Sequence, residues 1–493
     1  MTPPKHIAIV GGGTAGWMTA NLLRHRWAGL GVAVTLIESA DIGTIGVGEG
    51  STPFLRHFFR TLGIAERDWM PACDATFKCG IRFPGWSQVA GYESYVHPFF
   101  NEADRELGNQ FFTNACLRRR SQAADANPQD FFLAAELARQ CRAPQAADQS
   151  TDYAYHFDAG RLGAFLRTHA VGLGVRHIVG TVARVERHGN GDIAALHLKG
   201  GARVQADLFV DCSGFKGMLI TETLGEPFHP YRDNLFNDRA IAIPTPLAVD
   251  ADIPSETVST ALRHGWAWQI PLTTRFGNGY VYSSDFVSDD DAERELREHL
   301  GPAAEGSAAR RLRMRVGRVK QHWRQNCVAI GLAQGFIEPL EATALMLIQL
   351  SVEQFIAALE DDHFGRARQA AFNERVNAMF EGVRDYVVAH YQLNTRRDTD
   401  YWRANRANRH ISDRLASLLD VWDRGGDFEA ELERHGAGLM YLRPSWYALF
   451  AGMGRFPVEL RAAPPAITAA QARERLAAMA QAFPSHRLHL NGV

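Results

Sequence analysis

The sequence predicts an α/β fold: a discontinuous α/β module at 1–100 and 150–350, a helical insertion at 101–149 and a mostly helical module at 351–493. Three observations predict it. Between His6 and Glu38 an apolar strand, a glycine-rich turn, a helix and a second apolar strand follow one another, which is a βαβ unit. Short β-rich runs return from Val175 and again from about Trp266 to Phe286. Beyond Pro339, the residues Leu345, Ile348, Val352, Phe355, Ile356 and Leu359 recur on one helical stripe.

The elements follow in order. His6–Val10 reads as a buried strand, Gly11–Gly16 as a tight loop, Trp17–Leu23 as a helix and Val32–Glu38 as the second strand. Loops at 123–128 and 143–149 bracket helical sequence. Thr181–Val185, Ile193–Leu198 and Leu208–Cys212 read as strands, with Gly189, Asn190 and Gly191 turning between the first two. The last third is helical, aromatic and rich in Arg.

With 493 residues, 46% of them hydrophobic, the chain can bury a large core over two or three structural units. A net charge of -2 argues against nucleic acid as partner, because such binders carry a basic excess. The six cysteines form no C-x-x-C pair, which disfavours zinc and iron–sulfur frameworks, so no metal is expected. The reduced thiols and a start without a secretory h-region fit a cytoplasmic protein. No run of ~18 apolar residues is available to span a membrane.

Gly11, Gly12, Gly13, Thr14, Ala15 and Gly16 match G-x-G-x-x-G between a strand and a helix. The glycines permit a tight turn and close backbone approach, and the helix points unpaired N–H groups at a pyrophosphate. Glu38, ending the next strand, can accept ribose hydroxyls. This is a Rossmann-like dinucleotide site, and alone it does not separate NAD from FAD. Three later segments favour FAD in a flavin-monooxygenase-type module: the small-residue loop Gly46–Pro53, the strand and turn Leu208–Gly214, and the strand Cys327–Ala333.

Four segments together resemble the flavin-dependent, tryptophan-halogenase-like family. They are Gly11–Gly16 with Glu49, the run Thr76–Phe83 around Lys78, the W-x-W-x-I-P of Trp266–Pro271, and Glu338–Thr343 around Glu341. The resemblance runs from about residue 5 to about 460. It implies a two-component enzyme in which reduced FAD, O2 and chloride or bromide yield hypohalous acid. That acid passes to an aromatic substrate for electrophilic substitution. It further implies that Lys78 hydrogen-bonds the acid or forms a haloamine, and that Glu341 stabilises the ring cation and helps to deprotonate it.

The same resemblance places a halide at the backbone of Thr343 and Ala344, and FAD contacts at Val182, Leu332 and Leu345. It puts His97 and Phe99 beside the aromatic ring, and Trp266 and Trp268 as a wall near the flavin. Plainer readings stand beside these. Lys78, Gly80 and Arg82 share one face of a strand, which suits a tunnel wall or a solvated face. Glu341 could merely cap the helix that follows it, whose first N–H groups from Ala342 to Leu345 lack partners. The paired tryptophans and the His97 segment could be core packing.

Two departures from the family pattern matter. Ala344 stands where the family often has Gly, which reaches positive φ more cheaply. The late segment Tyr441–Gly454 lacks the acid that clamps free tryptophan, and small residues near Gly452 suggest an open pocket. An indole or phenol derivative is therefore the expected substrate. No second dinucleotide loop is visible, so a separate NAD(P)H-dependent flavin reductase is the expected partner, and a homodimer is left open. The competing reading is an FAD-dependent aromatic hydroxylase, in which Lys78 would have no role.

Overall fold

The computed structural model describes residues 2–40, 48–144, 152–462 and 467–492. Gly46, Val47 and residues 145–149 of the anticipated loops lie outside the described residues.

His6–Val10 lies inside a six-stranded sheet, parallel to Leu208–Asp211 on one side and to Ala33–Glu38 on the other. Ile7, Ala8 and Ile9 are fully buried, as in a parallel sheet covered on both faces. Cys327–Ala329 and Arg176–Val179 extend the two sides in parallel, and Trp323–Arg324 closes one edge antiparallel. The helix after the glycine loop, Thr14–Arg26, packs on helices Ala159–Gly172 and Ala344–Asp361. All six residues of the predicted stripe on that last helix are buried. The predicted strand Thr181–Val185 is displaced to Val182–Arg187 and pairs antiparallel with Ile193–Leu198 across the Gly189–Gly191 turn.

A seven-stranded sheet forms the second layer. The run from Trp266 folds as Gly265–Pro271 and Arg275–Tyr282, and Glu256–Ala261 lies beside the former. Gly80–Pro84 joins in parallel and Ser94–Pro98 forms the far edge. Helix Arg443–Gly452 packs on that edge strand, while Arg105–Arg119 and Leu133–Arg139 supply the helical insertion.

One expected face does not exist. The chain breaks at Cys79, whose N–H donates to the Ser255 carbonyl at 2.6 Å. Lys78 stays in a separate three-stranded sheet of Gly48–Gly50, Ala154–Asp158 and Thr76–Lys78. Arg82 belongs to the large sheet and pairs with Glu256 at 2.7 Å. The two cations therefore share no strand face. Beside Lys78, Phe77 donates its N–H to His486 Nε2 at 3.0 Å, across 409 residues of sequence. His486 Nδ1 donates in turn to the Ile253 carbonyl at 2.9 Å, and burial pushes that imidazole down to about 4.

Candidate active site

The glycine loop is shaped by contacts that only glycine allows. Gly11 sits at φ +116, and a Cβ there would lie 2.1 Å from the Cys212 carbonyl oxygen. A Cβ on Gly16 would lie 1.9 Å from the Gly11 oxygen, whereas nothing lies within 4 Å of one on Gly13. Helix Thr14–Arg26 starts without a side-chain cap or an acid in its first turn. Its leading N–H groups, those of Thr14 and Ala15 included, suit a pyrophosphate.

Glu38 reaches back over Gly12, where a Cβ would meet Glu38 Oε2 at 1.6 Å. Its Oε1 lies 2.6 Å from His177 Nε2, a partner the sequence reading missed, so a ribose would share this carboxylate with His177. Leu332 lies in a single turn, Gly331–Ala333, that abuts the glycine loop: a Cβ on Gly331 would be 2.6 Å from the Ala15 Cβ. Leu345 is buried in the first turn of Ala344–Asp361. Val182 starts the strand after Gly180, whose N–H donates to the Glu38 carbonyl. Burial, reinforced by the Asp158 charge, pushes Glu49 up to about 7. The open cradle over Gly13, the uncapped helix and the convergent turns fit a flavin dinucleotide.

Lys78 is fully buried, and its Nζ donates to the Ser51 carbonyl at 3.0 Å. The ring of Phe99 lies 5.4 Å from that nitrogen. Space for the ammonium depends on Gly50, where a Cβ would stand 3.3 Å from Lys78 Nζ. Burial draws Lys78 down to about 7, and the Glu341 charge opposes that shift. A solvated strand face is thus excluded for Lys78.

Glu341 ends a one-turn segment, Pro339–Glu341, and is 3% exposed. It does not cap the next helix, whose first turn holds no acid. Its Oε2 accepts from His97 Nδ1 at 2.8 Å, and its Oε1 lies 3.0 Å from His390 Nε2. Burial pushes the carboxyl up, but the charge and hydrogen bonds of the two histidines outweigh it and hold Glu341 down at about 2. The Ser94–Pro98 strand thus delivers His97 to Glu341 and, just past its end, Phe99 to Lys78.

The predicted halide positions need two corrections. The Ala342 N–H is not free, because it donates to the Pro339 carbonyl at 3.0 Å. Thr343 and Ala344 stand at the start of Ala344–Asp361, where leading N–H groups have no helical carbonyl to reach. The residue in the left-handed region is Ala342, at φ +55, rather than Ala344, which already begins the helix.

The open pocket expected near Gly452 is also absent. A Cβ there would lie 2.4 Å from Tyr95, and one on Gly454 would lie 3.0 Å from Tyr92, so aromatic rings fill both spaces. Trp266 and Trp268 are buried with ring centroids 6.2 Å apart. Trp266 Nε1 donates to Glu338 Oε2 at 2.9 Å, and the same oxygen accepts from Asn237 and the Tyr391 hydroxyl. The sequence reading missed His390, Glu338 and Ser445 as site residues. Their only signals were a histidine four residues after Tyr386, a second acid in Glu338–Thr343, and a hydroxyl in the late segment.

The fold and the glycine cradle define a dinucleotide-binding enzyme, and the buried lysine and glutamate sit where two sheets meet the helical segments. The sequence profile described as tryptophan halogenase matches residues 6–468, and the chain belongs to that family. It is 40% identical over 446 residues to tryptophan 6-halogenase SttH of Streptomyces toxytricini, covering 85% of this chain and 84% of the relative. Tryptophan 7-halogenase RebH of Lentzea aerocolonigenes is 36% identical, covering 92% and 90%. The solved structure of Xcc4156, a flavin-dependent halogenase from Xanthomonas campestris, superposes with a TM-score of 0.86 at 34% identity, covering 99% of this chain and 98% of that one. This chain is a flavin-dependent halogenase; the hydroxylase alternative is not favoured. Among the described residues, no helix is long and apolar enough to cross a membrane.

Proposed function

We propose that the enzyme chlorinates or brominates an electron-rich aromatic such as an indole, with Lys78 handling the electrophilic halogen and Glu341 serving the ring. The observation that carries this reading is the pairing of two buried, oppositely charged groups at one strand, Ser94–Pro98, through Phe99 and His97. The residues to hold reduced FAD are Gly11, Gly12, Gly13, Thr14, Ala15, Gly16, Glu38, Glu49, Val182, Leu332 and Leu345. When bound, reduced FAD with O2 supplies the oxidising power that turns halide into hypohalous acid.

Everything else falls to the chain. The Thr343 and Ala344 N–H groups hold the halide. Near neutral pH Lys78 is present both as an ammonium, which donates a hydrogen bond to the acid, and as an amine, which can take the halogen covalently. Trp266 and Trp268 keep the aromatic substrate off the flavin. Phe99 packs against its ring. Glu341 stabilises the cation formed on halogen addition and accepts the ring proton.

The discontinuous module at 1–100 and 150–350 is the flavin half and the remainder the substrate half. A separate flavin reductase supplies FADH2 in the cytoplasm. The relatives are named for tryptophan, yet the late segment here lacks the clamping acid, so an indole without the amino-acid head is the favoured substrate. The test is one assay with FAD, a flavin reductase, NADH, bromide and indole, read by mass spectrometry. A bromine isotope pattern supports the proposal; gain of a single oxygen would return the hydroxylase reading.

A further inference from the structure

Gly50 turns its bare Cα toward three polar side chains. A Cβ there would stand 3.3 Å from Lys78 Nζ, 3.4 Å from Thr257 Oγ1 and 3.5 Å from His156 Cδ2. Strand register brings them together. Ala154–Asp158 lies between Gly48–Gly50 and Thr76–Lys78, with His156 opposite both Gly50 and Thr76. Thr76 and Lys78, two apart on their strand, share its face. Thr257 reaches in from Glu256–Ala261 of the seven-stranded sheet. Lys78, Thr76, His156 and Thr257 are all buried.

The hydrogen bonds among these groups run one way. Thr76 Oγ1 donates to the Pro271 carbonyl at 2.7 Å, which uses its only proton. At 3.1 Å from His156 Nδ1 the same oxygen can then only accept, so Nδ1 carries the ring proton. Burial and the Lys78 charge push His156 well below its ordinary value, so the ring is neutral and Nε2 keeps its lone pair. Thr257 Oγ1, 2.9 Å from Nε2, is therefore the donor to it. With its proton committed, the Thr257 hydroxyl offers its other neighbours lone pairs alone. Lys78 is the complement. An ammonium has three N–H groups, and among the described residues the one acceptor it reaches is the Ser51 carbonyl, at 3.0 Å.

We propose that Lys78 and Thr257 form a two-point seat for hypohalous acid over Gly50: a lysine N–H donates to the oxygen of the acid, the O–H of the acid donates to Thr257 Oγ1, and the halogen is left as the free end. This rests on Lys78 as the handler of the acid. The seat prefers the acid to the halide it is made from, because a bare halide has no proton for a hydroxyl that can only accept. Gly50 keeps the space open and follows Glu49, one of the residues to hold FAD.

The test runs the holoenzyme with FAD, a flavin reductase, NADH, bromide and indole, plus an excess of a water-soluble β-diketone that captures free hypobromous acid. The readout is brominated trap relative to bromoindole. Thr257→Val keeps the shape of the side chain and removes the hydroxyl, and should raise that ratio roughly 3- to 10-fold, the worth of one hydrogen bond. Thr257→Ser should restore it. A valine variant with the wild-type ratio overturns the proposal, and so does a serine variant that leaks like the valine one, since lost packing would then be the cause.

Gly50→Ala decides the matter should the valine variant not fold. Gly50 lies in a strand, where alanine is allowed, and the substitution retains Lys78, Thr257 and His156 while putting a methyl group into the seat. The ratio should rise at least as far, and a wild-type ratio overturns the proposal. Lys78→Ala separates this inference from the reading beneath it. If that variant leaks while Thr257→Val and Gly50→Ala do not, the seat alone is overturned. If it keeps the wild-type ratio, the role of Lys78 falls and the seat falls with it.

Discussion

Lys78 and Glu341 are both buried and both displaced from their ordinary ionisation, in ways that suit different tasks. Lys78, drawn to about 7, changes form within the working pH range, while Glu341, held at about 2, stays a base throughout it. Replacing Lys78 by alanine should leave flavin retention intact, because Lys78 lies apart in sequence and fold from the Gly11–Gly16 loop, and should abolish halogenation. Flavin content and product measured on the same preparation check this, and product at near wild-type rate would defeat the assignment. Glu341→Gln keeps the size but removes charge and basicity, so product formation should slow at least ~10-fold, the low end of general-base help being ~10²-fold. Flavin affinity should stay nearly constant. Unchanged single-turnover halogenation in a stable variant would leave the ring proton to another acceptor.

At the scale of elements, the turn between Pro339–Glu341 and Ala344–Asp361 aims Glu341 inward and the helix start at the halide positions. It does so through Ala342 at φ +55, where a Cβ costs roughly 1–2 kcal/mol. Ala342→Gly should therefore fold at least as stably as the wild type. Ala342→Val, branched at Cβ, should lower stability by a further ~1 kcal/mol or more and reduce halogenation as the turn shifts. Denaturant midpoints of the two variants test this, and a valine variant as stable as the glycine one would contradict it.

Legibility in the sequence followed the range of the forces. The βαβ unit and the Leu345 stripe were plain because periodicity and glycine chemistry are local. Lys78 and Glu341 were found through their motifs, but their settings were not. Whether Lys78 continues into Gly80–Pro84 depends on Ser255 capturing the Cys79 N–H, and the ionisation of Glu341 depends on His97 and His390, each far from it along the chain. The space at Gly452 looked empty because Tyr95, which fills it, comes from a distant strand.

For the molecule as a whole, the site is held at some expense of stability. An unfolded lysine stays charged to about 10.5, whereas folded Lys78 resists charging until about 7. The folded state is thus penalised fully below about 7, and stability from this group rises as pH climbs from about 7 to about 10.5. Lys78→Met should raise the melting temperature most below that window, the gain shrinking toward its top, while halogenation is lost. A gain independent of pH would show that packing, not charge, is responsible. Substrate choice also belongs at this scale: in an aromatic panel at equal concentration, indoles should outrun free L-tryptophan, and the reverse would mean that the missing acid is replaced elsewhere.

The bond from Phe77 to His486 has a consequence for how the protein is made. The strand carrying Lys78 leaves the ribosome early, yet the amide next to Lys78 finds its partner only after another 409 residues have been synthesised. Until then Phe77 is an open end, available to chaperones and proteases. A nascent chain cut short before His486 would carry every motif named above and still leave the Phe77 N–H, next to Lys78, without this partner.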